Sequence, residues 1–506
     1  MSAIINYSRF KKHLFSSLVL SFLCSVSFAQ SQLPANRMDY HFSWDGVSTI
    51  LKMDIVYDSH DKDSTVFVYG HPRAGGQSHI FDILGNVNVK DGDHLKINPT
   101  ERQIIVHHTG PGIKRLHAEI DGKLLSDMSH VLADEAFRPT IDPGFLYTMG
   151  FQVFMEVADT AYSKIGIVWD NYPAGMPYVI STDPMAKPGD LQVVPFTESD
   201  NKLVLMQMSK DLVVDKYMFG KTPHYLLTSK SDSTGGLPDK LKSFMNKYIP
   251  TIRSFWADDD VPFYMMSAIP LQHDVAPTMT GMGLPNAFSV RYRGPMNLEK
   301  TRVIAHEVSH NWVGVRLQYK EVAMENNWFN EGFNDYIALY NLSASGLFTQ
   351  ENFLDHMNKG NLTAHYTSPV RTMPGDSIQA NFFISEYYEN LPYQRGLIYA
   401  FYLDNQIRLA SKGKKTIRHF LLALFQYDKK QGMRKITAED FCAVIAPYLP
   451  GKNVAEEIKR YMLQGELIDF SKEKLIPEFK MTFNNGVPNV SLTAGAQLNK
   501  VFAKNF

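Results

Sequence analysis

Cysteine is almost absent from this chain, with two in 506 residues, Cys24 and Cys442. Cys24 falls in a leader-like segment, so the remainder keeps a single thiol, which excludes an intramolecular disulfide and leaves stability to packing. Cys442 sits in an apolar helical pattern and reads as a buried, inert thiol. An excess of charge of one sign is lacking too, since 51 lysines and arginines face 52 acidic residues. Such a balance exerts no strong pull toward nucleic acid or an anionic membrane, and no nucleic acid is expected as a partner. Past the N-terminal segment no apolar run approaches the roughly 18 residues that a span needs, so no membrane span is expected in the mature chain. Internal repeats, low-complexity tracts and coiled-coil heptads are missing as well.

What is present begins with 44% hydrophobic and 20% charged residues, the balance of a globular protein whose length suits two or three domains. Arg9, Lys11 and Lys12 precede an apolar stretch over 14–28 that closes on Ser27, Phe28 and Ala29. That order is a secretory signal peptide over 1–29, and it predicts a periplasmic or extracellular protein. The bulky Leu23 before Cys24 argues against lipidation there.

From 30 to 220 the text reads as strands, among them 66–69, 103–107, 165–169 and 202–206, with Asp91-Gly92 and Asp121-Gly122 as hairpin signals. An antiparallel β-sandwich follows. After a turn-rich joint at 231–236 the period changes to 3.6, with Leu241, Phe244, Met245, Tyr248 and Ile252 on one stripe of a helix over 237–255. A buried strand at 261–269 and helices around 299–316, 328–345, 393–410, 415–426 and 454–463 make the rest a mixed α/β region running into a helical one. The expected division is a sandwich at 30–220, an α/β catalytic domain at 221–410, a helical subdomain at 411–475 and a tail at 476–506.

Inside the helix expected at 299–316 stands His306-Glu307-Val308-Ser309-His310. Residues four apart lie one above the other on a helix, so both imidazoles project from one face toward one zinc ion. Glu307 flanks that face and can take a proton from a metal-activated water as general base. Catalytic zinc needs a third protein ligand and an open position. Glu331, at the start of an apolar-periodic helix, is the candidate, with Glu325 a weaker one. Asp335 lies one turn further and can accept the free N–H of a ligating imidazole. The expected cofactor is one Zn2+ and the expected partner a peptide or protein substrate.

Three segments carry a likeness: His306 to Trp312, Trp328 to Phe333, and Pro392-Tyr393-Gln394-Arg395-Gly396 running into Leu403 to Arg408. They resemble the gluzincin metallopeptidases, specifically the glycyl aminopeptidase family and more distantly the alanyl aminopeptidase family. The resemblance implies an N-terminal β-sandwich, a thermolysin-like catalytic domain and a helical C-terminal region. It also implies that Tyr393 donates to the tetrahedral oxyanion, with Tyr388 as fallback. Gly283 and Leu284 belong to the segment that matches the families' Gly-rich edge-strand motif and are candidate substrate contacts.

The chain departs from these families in three places. Twenty residues separate His310 from Glu331 where the alanyl branch has eighteen, a register that would land on Phe329. Pro285 stands where the edge-strand motif carries the glutamate that engages a substrate amine, and a proline offers no such partner. The segment 476–506 is too short for the PDZ domain of some glycyl-branch relatives. Exo- and endopeptidase action therefore both stay open, as do a small amide or ester hydrolase on the same site and a catalytically inactive extracellular binding module.

Overall fold

A computed structural model describes residues 33–503 apart from 71–79, 91, 123–137, 158–160, 197–202, 231–236, 259–260, 272–278, 321–326 and 383–384. The leader with Cys24, and also Asp91 and Glu325, lie outside the described residues.

Alternation of apolar and polar residues builds the N-terminal half. Strand Ile50–Asp58 buries Leu51, Met53, Ile55 and Tyr57 on one face, as a period of two demands. Six strands form one sheet in the order Gln192–Pro195, Lys164–Asn171, Arg37–Ser43, Ile50–Asp58, Ile113–Asp121, Leu84–Val89. Glu156–Val157, Ser64–Val68, Gln103–His107 and His94–Asn98 form the opposing sheet, and Tyr40, Phe67, Ile104 and Leu116 pack in the shared core. Two details differ from the expected sandwich. Arg37–Ser43 runs parallel to Lys164–Asn171, so the sheet is mixed. Leu84–Val89 and His94–Asn98, the strands before and after the expected hairpin signal, belong to different sheets and do not pair with each other.

A third sheet, of Tyr178–Ile180, Leu205–Ser209, Phe145–Met149 and Thr140–Asp142, joins this half to the next. Its Phe145, Tyr147 and Met149 pack on Met265, Leu284 and Ala287 of a five-stranded sheet. Arg291 lies 4.4 Å from the Tyr147 ring, and Tyr147 shares a 2.6 Å hydrogen bond with Ser289, so polar contacts fix the register of this apolar interface.

The five-stranded sheet runs Leu212–Phe219, Thr222–Ser229, Tyr264–Pro270, Ala287–Tyr292, Met279–Leu284, with the last strand antiparallel at the edge. The division expected at 220 falls in the turn of its first hairpin, both strands of which belong to this sheet. Helix Leu237–Trp256 matches its expected span, and its stripe of Leu241, Phe244, Met245, Tyr248 and Ile252 is buried.

The segment expected as a tail is folded into the body. Strands Phe479–Asn484 and Val487–Leu492 form a hairpin, and helix Leu498–Ala503 buries Phe502. Tyr340 donates to the Phe502 carbonyl at 2.8 Å, and Arg408 to that of Val501 at 3.0 Å.

Candidate metal centre and active site

Asn297 opens helix Leu298–Ser309 by accepting the Lys300 N–H, satisfying a donor that the first turn leaves orphaned. The helix stops at Ser309, short of the expected 316, because the chain turns there and Gly314 takes a positive φ of 92°. Tyr248 anchors its last turn, donating to the Ala305 carbonyl at 3.0 Å. His306 and Glu307 therefore stand buried on a braced turn, with His310 half-buried just past its end.

Glu331 arrives on a π-helical turn, Trp328–Phe333, that continues into helix Asn334–Ala344. Such wide turns re-aim side chains and recur at functional sites. Phe329, the residue of the eighteen-residue register, is fully buried among Tyr319, Trp328 and Phe441, so the twenty-residue spacing is the one that delivers a carboxylate. One Glu331 oxygen lies 3.1 Å from His306 Nε2 and 3.3 Å from His310 Nε2.

The other nitrogen of each ring is taken. His310 Nδ1 lies 2.9 Å from the Val313 carbonyl, which can only accept, so Nδ1 carries the proton and Nε2 presents its lone pair. His306 Nδ1 lies 2.7 Å from Asp335 Oδ1, and Arg302 donates to that same oxygen at 3.0 Å while also donating to Glu299 at 2.7 Å. Two Nε2 atoms and one carboxylate oxygen thus converge within 4.8 Å of one another. That donor set fits a tetrahedral zinc site with one position left open.

The ionisable groups of the cluster shift one another strongly. Burial alone would lower His306, but the charge and hydrogen bond of Asp335, followed by those of Glu331, raise it to about 10. Against burial, the two imidazoles hold Glu331 well below the usual carboxylate range. Burial pushes the Glu307 carboxyl up, against the pull of His310 and His306. Tyr393 is held well above its ordinary value by burial and then by Glu331, Asp335 and Glu307, so at neutral pH it is an O–H donor.

Tyr393 reaches the site on helix Glu386–Ala410, its ring centroid 6.0 Å from that of His306. A glycine pair permits the approach: a Cβ on Gly396 would lie 1.9 Å from the Trp328 carbonyl oxygen, and one on Gly332 would lie 2.4 Å from Gly396 Cα. The edge strand Met279–Leu284 covers the opposite side equally closely. A Cβ on Gly281 would meet Glu307 Oε1 at 2.5 Å, and one on Gly283 would meet His310 Cβ at 2.4 Å.

Strand alternation corrects one expected contact. Gly281 and Gly283 face the centre, so Leu284 turns away and is fully buried against the third sheet, where its side chain cannot meet a substrate. Tyr388 packs beside Tyr393 on the small cluster of Ile378, Phe382 and Leu391 and does not line the cavity at the centre. That cavity is also lined by Arg302, His356, Asn361, Asn390 and Gln394; of these only Gln394 falls in a segment that carries the likeness, and none is an expected site residue. Arg302 had a signal, since it stands one helical turn before His306; His356 and Asn361 had none.

Residues 291–461 match the family model described as Peptidase family M1 domain. That match covers about a third of the chain. The gluzincin resemblance stands with that match, which makes the chain a zinc metallopeptidase by class. An aminopeptidase N family protein from Idiomarina loihiensis superposes with a TM-score of 0.68 at 14% identity, over 86% of this chain and 77% of that one. Yeast LTA4 hydrolase in complex with bestatin gives 0.55 at 13%, over 89% and 72%. An M1 zinc metallopeptidase variant from Deinococcus radiodurans, bound to a Tyr-Ser-Ala substrate, gives 0.50 at 14%, over 87% and 96%. These likenesses carry the multidomain fold around the M1 domain. No curated protein sequence matches the chain significantly.

Proposed function

We propose that this chain is an exported, aminopeptidase-like zinc peptidase in which His306, His310 and Glu331 hold the metal. The observation that carries the reading is the convergence of two Nε2 atoms and the Glu331 carboxylate, with the outer nitrogen of each ring already hydrogen-bonded. Zn2+, when bound, supplies Lewis acidity, lowering the pKa of a water toward ~7 and polarising the scissile carbonyl. Glu307 takes the proton of the attacking water and returns it to the leaving amine, a task suited to a carboxyl raised by burial. Tyr393 keeps its proton and donates to the oxygen on which negative charge grows in the transition state. Asp335, neutralised in part by Arg302, keeps His306 in the tautomer that presents Nε2. Export rests on the leader-like pattern of 1–29.

One observation supports a broader substrate range. Pro285 occupies the turn after the edge strand, where its ring offers no charge-assisted bond to an ammonium group. Hydrolysis of internal bonds or of blocked peptides on the same centre is therefore the second reading. Replacement of Glu307 by Gln tests the core of both: the variant should bind one zinc and lose hydrolysis of free and blocked peptides. Undiminished turnover would remove Glu307 as the base.

A further inference from the structure

His306, Glu307, Asp335 and Tyr393 form one wall of a cavity of about 250 Å³. The rest of the wall is polar, with Arg302, His356, Asn361, Asn390 and Gln394 beside Val303 as the one bulky apolar side chain. Ligand pockets are mostly apolar with a few placed polar groups, so this balance is the reverse of the common one.

The commitments of these groups differ. Arg302 is spent on Glu299 and Asp335. Asn361 and Asn390 donate through Nδ2 to the carbonyls of His356 at 3.0 Å and Glu386 at 2.8 Å, which leaves each amide oxygen as an acceptor. The Gln394 side chain makes no hydrogen bond among the described residues. Burial, then the Arg302 cation, push the His356 imidazole down, so it is neutral at pH 7. The cation of this wall is paired, while the two asparagine amide oxygens and the Gln394 amide are open.

Position gives the wall its task. The edge strand lies over Glu307 and His310 through Gly281 and Gly283, and none of its residues lines this cavity. A substrate whose acyl part follows that edge has its leaving amine on the other side, toward the cavity that also holds Glu307. Past His356 and Gly360 a second space of about 260 Å³ opens, beside Glu299, Phe348 and Lys359, so a peptide can continue beyond the first residue.

We propose that this cavity binds the side chain of the residue on the leaving-amine side of the scissile bond, and selects a neutral carboxamide or hydroxyl over a large apolar group. The inference rests on the hydrolase reading above and deepens it. An apolar side chain would strip water from the amides of Asn361, Asn390 and Gln394 without replacing its hydrogen bonds. Sites built to hydrogen-bond a substrate group reject analogues that lack it far more strongly than apolar pockets reject one methylene.

The test uses Ala-Xaa-Ala peptides, free and N-acetylated, with Xaa as Gln, Ser, Leu or Phe. The zinc-loaded protein is assayed for cleavage before Xaa by product mass, and the same peptides are titrated calorimetrically into Glu307→Gln, which needs no turnover. Both kcat/KM and affinity should favour Gln and Ser over Leu and Phe by about tenfold or more. Combining Asn390→Leu with Gln394→Leu should lower the Gln values and raise the Leu values, with the melting temperature unchanged. Equal values across the four peptides, or a double variant that scales all four alike, would overturn the pocket assignment and leave the hydrolase reading intact. A Gln preference in binding without any hydrolysis by the unmodified protein would do the reverse. Neither binding nor hydrolysis would overturn both.

Discussion

Asp335 Oδ1 lies 2.7 Å from His306 Nδ1, and this contact sets which nitrogen of His306 faces the metal centre. Arg302, 3.0 Å from the same oxygen, limits the charge that Asp335 places beside the ring. Replacing Asp335 by Asn keeps the volume but removes the charge and allows an amide N–H to face the ring. Zinc affinity should fall roughly 10–100-fold, the range found when outer partners of ligating histidines are lost. Competition with a chelator measures it, and a melting temperature close to that of the parent would separate the loss from unfolding.

Tyr393→Phe should lower kcat by about a hundredfold or more with little change in KM, because the lost donor acts on charge that appears in the transition state. Steady-state kinetics on one peptide decides the matter. An equal rise in KM at constant kcat would make Tyr393 a binding group instead.

The glycine pair that seats Tyr393 makes a stability prediction. Gly396→Ala puts a methyl 1.9 Å from the Trp328 carbonyl oxygen, a backbone atom that cannot swing aside. Parting the two helices should cost about 3 kcal/mol, at the upper end of ordinary overpacking, and should lower activity by displacing Tyr393. Denaturant unfolding, followed by activity of the folded fraction, reads both effects.

Much of this site was legible because its parts repeat along one helix. Residues four apart must share a face, so His306, Glu307 and His310 announce themselves, and Asp335 follows from Glu331 by the same spacing. The sandwich and the helix at 237–255 were legible from their periods. What escaped was tertiary. His356, Asn361 and Asn390 carry no local pattern that marks them, and the chain brings them, with Gln394, to one cavity from two separate helical segments. Leu284 was misplaced because motif likeness names a segment, whereas pleating decides which of its residues face the centre. Asp91-Gly92 has the chemistry of a hairpin turn, yet packing two sheets face to face requires some consecutive strands to lie in different sheets.

Acid should weaken the sandwich at Asp93. Burial opposes ionisation of this carboxyl, but the Thr109 N–H at 2.9 Å, Lys114 at 2.9 Å and His108 at 3.1 Å bring it to about 2. A folded-state value below the ordinary unfolded one of about 3.9 means stability that is complete above that value and lost as pH falls toward 2. Asp93→Asn should cost about 2 kcal/mol at pH 7. It should also flatten the fall in denaturation midpoint between about pH 4 and 2, which a pH series on both proteins measures.

The metal content of the purified chain tests the central claim most directly. Dialysed to equilibrium against trace zinc and measured by mass spectrometry of the elements, the parent should hold one zinc per chain. Glu331→Ala, which leaves both imidazoles in place, should hold close to none while unfolding as a single species. A full complement of zinc in that variant, or none in the parent, would contradict the assignment of His306, His310 and Glu331 as the cage.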